Sequence, residues 1–264
     1  MTAPTRQVVV HRDADEVARA TAARLATALA TAQSARGEAS VVLTGGGTGI
    51  AVLAALAASP DRDALDWGTI EVWWGDERFL PAGDPERNET QARAALLDAV
   101  PLDPARVHPM EPAGGTFADD ADAAAAAYAE ELAAAALPED GASASKVPAF
   151  DVLLLGLGPD AHVASLFPGL PGVRETERTV VGVHGSPKPP PTRVSLTLPA
   201  IRAAREVWCV VAGESKAHAV ARALGGTPET EAPAAGVSAR ERVRWLLDEA
   251  AASQLPAGVR AAQA

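Results

Sequence analysis

The sequence predicts an α/β fold: a mostly parallel, doubly wound sheet with helices on both faces. Short apolar runs that are typical of buried strands alternate along the chain with longer, alanine-rich segments that are typical of helices. Several of the apolar runs enter a glycine-rich loop, as parallel strands do where they turn into a helix. The 264 residues are enough for a substantial core, and we expect a single domain over residues 1–264.

The first half of the chain begins with a predicted strand at QVVVH, followed by a long helix. Asp13 is the expected N-cap of this helix, with Glu16 as its capping-box partner and Gly37 as its end. The next segments predict, in order, the strand ASVVL, the helix IAVLAALAAS, the strand TIEVWWGDERFL, the helix NETQARAALLDAV and the short strand RVHPM.

The second half continues with a predicted helix, FADDADAAAAAYAEELAAAAL, whose acidic first turn suits the helix dipole. A polar loop is expected over residues 138–148. The segments AFDVLLLGLG, TVVGVH, RVSLTLP and EVWCVVAG predict strands, and ESKAHAVARAL predicts a helix. The segment HVASLFPG has room for a short helix at most. The segment SARERVRWLLDEAAASQL predicts a final amphipathic helix.

Charge and composition exclude several classes of protein. The formal net charge of −11 argues against nucleic-acid binding, which needs basic groups to neutralise phosphates, although a single site can still be positive. The only cysteine, Cys209, lies in an apolar run and is expected to be a buried thiol. No apolar stretch approaches the roughly 18 residues of a membrane span, and the N-terminus lacks a signal-peptide core. We therefore expect a cytoplasmic protein without nucleic-acid or membrane partners.

The loops that leave the predicted strands are the candidate site, because ligands bind at the carboxyl ends of the strands in such sheets. They cover residues 44–49, 75–81, 156–165 and 212–216. The first loop, TGGGTG, offers backbone N–H groups and a helix N-terminus that suit an anion such as phosphate. It lacks the Gly-Lys-Ser/Thr ending of a Walker A loop. The alternative is a tight turn that packs the helix on the sheet.

The second loop, WWGDERF, places Asp76, Glu77 and Arg78 directly after a strand. A carboxylate and a guanidinium at this edge can orient a base or hold an oxyanion. A solvated charged turn is the alternative, and this loop alone does not decide between the two.

The third loop, GLGPDAH, follows the apolar run FDVLLL and admits two interpretations. Gly156, Gly158 and Ala161 fit the dinucleotide-binding fingerprint G-x-G-x-x-[G/A]. However, an aspartate within the motif would repel a pyrophosphate, and a nearby proline leaves room for only a short helix. A general base at His162, two residues after Asp160, is therefore favoured. A histidine that only caps the short helix is the alternative.

Two basic residues lie near the same strand ends. Arg193 opens the strand RVSLT after a proline-rich connection, and Lys216 lies in the first turn of a helix. The helix dipole disfavours a lysine there, which a bound anion would explain. Surface solvation is the alternative for each residue. No pair of histidine, cysteine or aspartate residues has metal-ligand spacing, so no metal is expected.

These loops, in this order, resemble the 6-phosphogluconolactonase family of the pentose phosphate pathway. The matching stretches are LTGGGTG, VWWGDERFLP with Asn88 downstream, FDVLLLGLGPDAHVASLFPG, RVSLTLPAI, GESKA and VRWLLDEAAAS, which together span almost the whole chain. The third stretch is the most specific, since the family pattern there is Gly-Pro-Asp-Gly-His-Thr-Ala-Ser-Leu-Phe-Pro-Gly. The related glucosamine-6-phosphate deaminases have a tyrosine in place of Arg78 and a catalytic glutamate in place of Phe167.

The resemblance implies a Rossmann-like sheet of the sugar-phosphate isomerase type and hydrolysis of 6-phospho-D-glucono-1,5-lactone to 6-phospho-D-gluconate without a cofactor. It implies that His162 takes a proton from water and returns it to the ring oxygen. Asp76 or Asp160 would orient the imidazole, and Arg78 would stabilise charge at either the oxyanion or the phosphate. The expected partner is a phosphosugar lactone, and the expected assembly is a monomer or a small homo-oligomer. The implied phosphate-binding residues are Thr44, Gly45, Gly46, Gly47, Thr48, Arg193 and Lys216.

The chain departs from the family pattern at four positions. Ala161 replaces the glycine before the histidine, at a cost of about 1 kcal/mol if that position needs a positive φ. Val163 replaces threonine, Gly49 stands where proline is usual, and Arg87 precedes Asn88 where serine is usual. None of these changes removes a proposed chemical group. The alternative functions are a glucosamine-6-phosphate deaminase or isomerase and a non-catalytic sugar-phosphate sensor.

Overall fold

The computed structural model describes residues 4–136, 146–259 and 261–263. Its helices are α1 (Ala14–Arg36), α2 (Gly46–Ala58), α3 (Asn88–Ala95), α4 (Ala121–Ala135), α5 (Leu198–Arg202) and α6 (Ala217–Leu224). Its strands are β1 (Thr5–His11), β2 (Ala39–Leu43), β3 (Ile70–Trp74), β4 (Asp76–Arg78), β5 (Val107–His108), β6 (Val152–Leu155), β7 (Val180–Val183), β8 (Arg193–Leu196), β9 (Glu206–Val211), β10 (Arg242–Asp248) and β11 (Ala261–Gln263). Short 3₁₀ turns connect several of these elements.

Eight strands form one sheet in the order β11–β1–β10–β9–β6–β2–β3–β5, and all neighbouring pairs are parallel. The chain moves outward from β2 to β3 and β5, and then returns to the other side of β2 to form β6. The order of the strands therefore changes direction between β2 and β6. The predicted fold class, a mostly parallel doubly wound sheet, is confirmed.

Helices cover both faces of this sheet, and each face has its own apolar core. Helices α1, α2 and α3 pack on one face, while α4, α5 and α6 pack on the other. Successive strand residues alternate between the two cores: Val41 and Leu43 belong to the first core and Val42 to the second. This arrangement holds the strands so that their carboxyl ends meet along one edge.

A second, three-stranded antiparallel sheet, β4–β8–β7, is not predicted by the sequence. The predicted strand TIEVWWGDERFL is divided at Gly75. The Gly75 N–H donates to the Leu43 carbonyl of β2, and the Gly75 carbonyl accepts from the Leu196 N–H of β8, both at 2.9 Å. The residues before Gly75 therefore belong to the large sheet, and those after it belong to the small one.

The prediction of a final amphipathic helix is wrong. Strand β10 occupies this segment and lies between β1 and β9, with parallel pairing to both. Trp245, Leu246 and Leu247 are all buried, which is the continuous apolar run typical of a central parallel strand. A run this short fits either a helix or a strand by periodicity, so pairing with two distant strands decides its structure.

The segment HVASLFPG, which has room for a short helix at most, forms none. Ala161 and Ala164 have φ angles of +68° and +47°, and a residue in this left-handed region interrupts a right-handed helix. The Ser165 N–H instead donates to Ser195 Oγ of β8 at 3.1 Å. Tertiary hydrogen bonds therefore replace the helical ones in this loop.

Helix α1 and Cys209 have the predicted local structure. Asp13 caps α1 by accepting from the Glu16 N–H at 2.8 Å, and Gly37 ends the helix with a φ of +81°. Cys209 is buried, and burial raises the pKa of its thiol to about 12. Most of the polar loop expected over residues 138–148 lies outside the described residues. No helix in the described part of the chain is both long and apolar enough to cross a membrane.

Candidate active site

The loops after four neighbouring strands, β9, β6, β2 and β3, meet at the carboxyl edge of the large sheet. Strands β2 and β6 lie on either side of the point where the strand order changes direction, which is where ligands bind in doubly wound sheets. A cavity of about 410 Å³ opens there, a size suited to a small ligand. Ten of the eleven predicted site residues line it: Thr44, Gly45, Gly46, Gly47, Thr48, Asp76, Arg78, His162, Arg193 and Lys216.

Helix α2 begins inside the glycine loop, and residues 44–49 all line the cavity. Gly45 is the N-cap of α2 and has no side chain to bind the N–H groups of the first turn, which leaves them for a ligand. A Cβ on Gly45 would lie 1.9 Å from Asn88 Oδ1, so only glycine fits beside α3. Thr44 Oγ1 accepts from the Gly156 N–H at 3.2 Å and thereby ties the β2 loop to the β6 loop.

His162 lies in the loop after β6 and makes a close contact with Asp160. The distance from His162 Nδ1 to Asp160 Oδ1 is 2.5 Å. A Cβ on Gly158 would lie 1.9 Å from Nδ1, so this glycine leaves space for the ring. The ring also packs on Phe167, with 4.4 Å between the ring centroids. Among the residues that the structure describes, His162 Nε2 has no hydrogen-bond partner.

The charge on Asp160 fixes the chemistry of the histidine. Burial raises the pKa of the Asp160 carboxyl, but its hydrogen bond to His162 and the charges of His162 and Lys188 outweigh burial and lower that pKa to about 2. The charged carboxylate accepts a hydrogen bond from Nδ1–H, so the neutral ring has its unprotonated nitrogen at Nε2. Asp76 has different contacts: its Oδ2 accepts from Ser165 Oγ at 2.6 Å. The structure thus brings Asp160, and not Asp76, into contact with the imidazole.

Strand β4 and the start of α3 build a second corner of the cavity. Arg78 Nη1 donates to the Glu86 carbonyl and, at 3.3 Å, to Asn88 Oδ1. Asn88 Nδ2 donates to the Asp76 carbonyl at 2.8 Å. These bonds place a guanidinium and a carboxylate at the edge of the same cavity.

Arg193 and Lys216 are each held by backbone carbonyls. The Arg193 guanidinium donates to the carbonyls of residues 188–190 over 3.0 to 3.3 Å, and it lies over the Phe167 ring at 5.7 Å from the centroid. Lys216 Nζ donates to the Leu157 carbonyl at 2.7 Å. Both cations are therefore fixed against the wall of the cavity.

Positive charge is concentrated in this cavity although the whole chain is acidic. Arg78, Lys188, Arg193 and Lys216 all line it. Burial lowers the pKa of Arg193 and of Lys216, and a second cation beside each, Arg78 or Lys188 respectively, lowers it further. Such crowding of like charges is stabilised by a bound anion, so the geometry suits an anionic ligand.

Sequence reasoning did not identify every residue of the cavity. Lys188 was missed because it lies in the connection HGSPKPPPT, whose only signal was a basic residue among prolines. Asn88 belongs to the family resemblance, but nothing in its sequence neighbourhood marks it as a site residue. Asn88 touches both β4 and the glycine loop, which only the three-dimensional contacts reveal.

The arrangement is suited to acid–base chemistry on an anionic ligand. His162, backed by a carboxylate, can accept a proton at Nε2 and return it. The cations and the free N–H groups of α2 can hold negative charge on the ligand. Within residues 4–136, 146–259 and 261–263, no group of three or more histidine, cysteine, aspartate or glutamate side chains is arranged to hold a metal ion.

Comparison with known proteins gives consistent matches over nearly the whole chain. The model of a family described as glucosamine-6-phosphate isomerases/6-phosphogluconolactonase matches residues 12–245. A 6-phosphogluconolactonase from Streptomyces coelicolor is 68% identical over 252 residues, covering 96% of this chain and 95% of the relative. One from Mycobacterium tuberculosis is 49% identical over 249 residues, covering 94% and 98%. The solved structure of 6-phosphogluconolactonase from Trypanosoma brucei has a TM-score of 0.81 at 29% identity, covering 96% of this chain and 99% of that one.

Proposed function

The chain belongs to the family of glucosamine-6-phosphate isomerases and 6-phosphogluconolactonases and is a lactone hydrolase of that family, and we propose that His162 activates the water that opens its lactone. The proposed reaction converts 6-phospho-D-glucono-1,5-lactone to 6-phospho-D-gluconate. A lactone is already an activated ester, so a positioned base and charge stabilisation are sufficient for the chemistry.

The observation that supports this proposal most directly is the contact between His162 and Asp160 at the cavity. Asp160 holds Nδ1 at 2.5 Å, which leaves Nε2 as the nitrogen that accepts a proton from water. When Nε2 takes that proton, the Asp160 carboxylate stabilises the imidazolium that forms. Asp160 therefore orients the base, and Asp76 has a separate role through Ser165.

The proposed reaction has two steps. Water attacks the lactone carbonyl carbon as His162 takes one of its protons, and the carbonyl oxygen becomes an oxyanion. The tetrahedral intermediate then collapses, the bond from this carbon to the ring oxygen breaks, and His162 returns the proton to the ring oxygen. The products are a hydroxyl group and a carboxylic acid, which ionises in water. Arg78 lies at the cavity where it can stabilise the negative charge of either the oxyanion or the phosphate.

The phosphate group of the substrate is assigned to the cations and the glycine loop. The free N–H groups at the start of α2, in residues 45–48, suit a phosphate. Lys188, Arg193 and Lys216 lie on the walls of the same cavity and can neutralise its charge. This assignment accounts for the concentration of cations in an acidic chain.

One contact argues against the deaminase alternative. Phe167 occupies the position of the catalytic glutamate expected for a deaminase, and its buried ring packs on His162 and under Arg193. A phenyl ring has no proton to exchange. The chain should therefore release no ammonia from glucosamine 6-phosphate.

The proposal is tested with His162→Ala in an assay coupled to oxidation of 6-phosphogluconate. Fresh 6-phosphogluconolactone is supplied, and spontaneous opening is subtracted. We expect kcat to fall by about a hundredfold or more, because general-base catalysis is lost. Circular dichroism should show that the variant remains folded.

A matched control is His184→Ala, which removes an exposed histidine that contacts Asp122 outside the cavity. It should keep the native kcat. A native kcat in His162→Ala would end the assignment of His162 as the base. Thermal stabilisation of the native chain by the lactone without turnover would instead favour a sugar-phosphate sensor.

A further inference from the structure

Glu77 is a buried carboxylate next to the cavity that has no part in the reaction described above. It lies in the middle of β4, between Asp76 and Arg78, and is 1% exposed. Its side chain does not line the cavity, so it touches no ligand there. A buried carboxylate is costly unless it is hydrogen-bonded and compensated by a cation, so its contacts need an explanation.

The Glu77 carboxylate binds three backbone N–H groups from two separate elements. Oε1 accepts from the N–H groups of Arg78 and Asn88, each at 2.7 Å. Oε2 accepts from the Glu89 N–H at 2.9 Å. Arg87, the N-cap residue of α3, has no side-chain cap hydrogen bond, so Glu77 supplies the cap from β4.

Burial raises the pKa of the Glu77 carboxyl to about 7, and the charge of Arg87 and the three N–H bonds oppose this rise. The Arg87 guanidinium is fully buried and lies 3.8 Å from Glu77 Oε2. It also donates to Glu89 Oε2 at 3.2 Å and to the carbonyls of Leu80 and Met110 at 3.1 and 2.7 Å. These bonds satisfy both terminal nitrogens of the guanidinium, whereas its buried Nε has no hydrogen-bond partner among the described residues.

The start of α3 in turn positions groups that line the cavity. Asn88 Nδ2 donates to the Asp76 carbonyl at 2.8 Å, and Asn88 Oδ1 accepts from Arg78 Nη1 at 3.3 Å. Asn88 also lies so close to Gly45 that a Cβ there would be 1.9 Å from its Oδ1. A shift of α3 would thus be transmitted to Arg78 and to the glycine loop.

We infer that Glu77 is a positioning residue for the proposed hydrolysis: its carboxylate, paired with Arg87, ties α3 to β4 and thereby fixes Arg78 and Asn88 in the cavity. The inference rests on the proposed function for its kinetic consequences. Its structural part, the hold on three backbone N–H groups, is independent of any activity.

The test compares Glu77→Gln with the native chain in two measurements. The first is lactone hydrolysis, measured well below the melting temperature so that both proteins are fully folded. We expect kcat/KM to fall about tenfold or more, because a small displacement of groups that hold the substrate is costly. The second is amide hydrogen exchange, in which the Arg78, Asn88 and Glu89 amides should lose protection relative to the central strands.

Asp151→Asn is the matched control. Asp151 also accepts a backbone N–H, that of Ser40 at 2.8 Å, and pairs with Arg36, but it does not line the cavity. This control should melt at a lower temperature and keep the native kcat/KM. If Glu77→Gln unfolds, the double variant E77Q/R87M is measured instead, since it removes both buried charges together.

Two results would overturn the inference: a native kcat/KM in a folded Glu77→Gln or E77Q/R87M variant, or unchanged protection of the three amides. If the native chain itself fails to hydrolyse the lactone, the proposed function is contradicted. The exchange measurement then still decides whether Glu77 fixes Arg78 and Asn88. The two failures are therefore distinguishable.

Discussion

Arg78 and Arg193 are direct partners across the antiparallel pair β4–β8, and both side chains line the cavity. Like charges that face each other across two strands are destabilising. In this chain, part of the cost is offset by Asp76 and Glu77, whose charges oppose the lowering of the Arg193 pKa. The phosphate of the proposed substrate would offset it further.

The first prediction concerns this arginine pair. Arg193→Met retains an apolar stem over Phe167 and removes the guanidinium. We expect the KM for the phosphorylated lactone to rise about tenfold, the equivalent of about 1.4 kcal/mol, with little change in kcat, because binding of the phosphate is weakened in the ground state and the transition state alike. Steady-state kinetics with fresh lactone measures both constants.

The control for this prediction is Arg12→Met, which removes an exposed arginine outside the cavity. Its KM should equal that of the native chain. Lys216→Ala should behave like Arg193→Met. If both cavity variants keep the native KM, the assignment of the phosphate is wrong.

The second prediction concerns the orientation of the imidazole. Asp160→Asn leaves a side chain of the same shape but removes the charge that holds Nδ1 protonated and stabilises the imidazolium. We expect kcat to fall about a hundredfold with a smaller change in KM. Asp76→Asn should lower kcat less, since Asp76 contacts Ser165 and not the ring. The opposite ranking of the two variants would return the orienting role to Asp76.

The pH dependence of the Asp160 interaction follows from its pKa. Because this pKa is lowered to about 2 from its ordinary 3.8, the folded state is stabilised by the ionised carboxylate above about pH 3.8. That contribution is lost only as the pH falls from there through about 2. Titration of Asp160 therefore does not change the activity between about pH 5 and 7.

The third prediction concerns His108, on β5 at the edge of the large sheet. Its ring stacks on Trp73 at 3.7 Å, and its two nitrogens each lie 2.6 Å from a carboxylate oxygen, of Glu131 and of Glu71. Burial lowers the pKa of His108, but the hydrogen bonds to both glutamates outweigh it, so the pKa lies above its ordinary value of 6.5. Protonated His108 therefore stabilises the folded state below about pH 6.5, and this stabilisation is lost as the pH rises through the raised pKa.

His108→Gln should remove this dependence, because glutamine does not titrate. As the pH rises from about 5.5 to 9, the melting temperature of the native chain should fall more steeply than that of the variant. His184→Gln is the control, since His184 and its partner Asp122 are both 59% exposed and their pair contributes little. Parallel curves for the native chain and His108→Gln would contradict the prediction.

The large sheet and most of the cavity are predictable because the signals for them are local. Apolar runs that enter glycine loops mark the strand ends, and parallel strands bring those ends together. Strand β10 and the small sheet are different, since both depend on pairing between segments far apart in the sequence. Arg78 faces Arg193 only because β4 pairs with β8. Glu77 is placed by the contacts of its carboxylate with the start of α3, which the sequence pattern does not reveal.

The last prediction concerns Ala161, which has a φ of +68° although it is not glycine. Ala161→Gly relieves about 1 kcal/mol of backbone strain. It also removes a fully buried methyl group and makes the unfolded chain more flexible, and these two losses together cost a similar amount. The free energy of unfolding should thus stay within about 1 kcal/mol of the native value in denaturant titrations.

The backbone conformation at Ala161 is fixed by its neighbours, since the Ala161 N–H donates to the Gly158 carbonyl at 2.9 Å and its carbonyl accepts from the Ala234 N–H at 3.0 Å. His162 should therefore keep its place, and kcat should stay within about twofold of the native value. A severalfold rise in kcat would instead show that Ala161 holds His162 away from its best position.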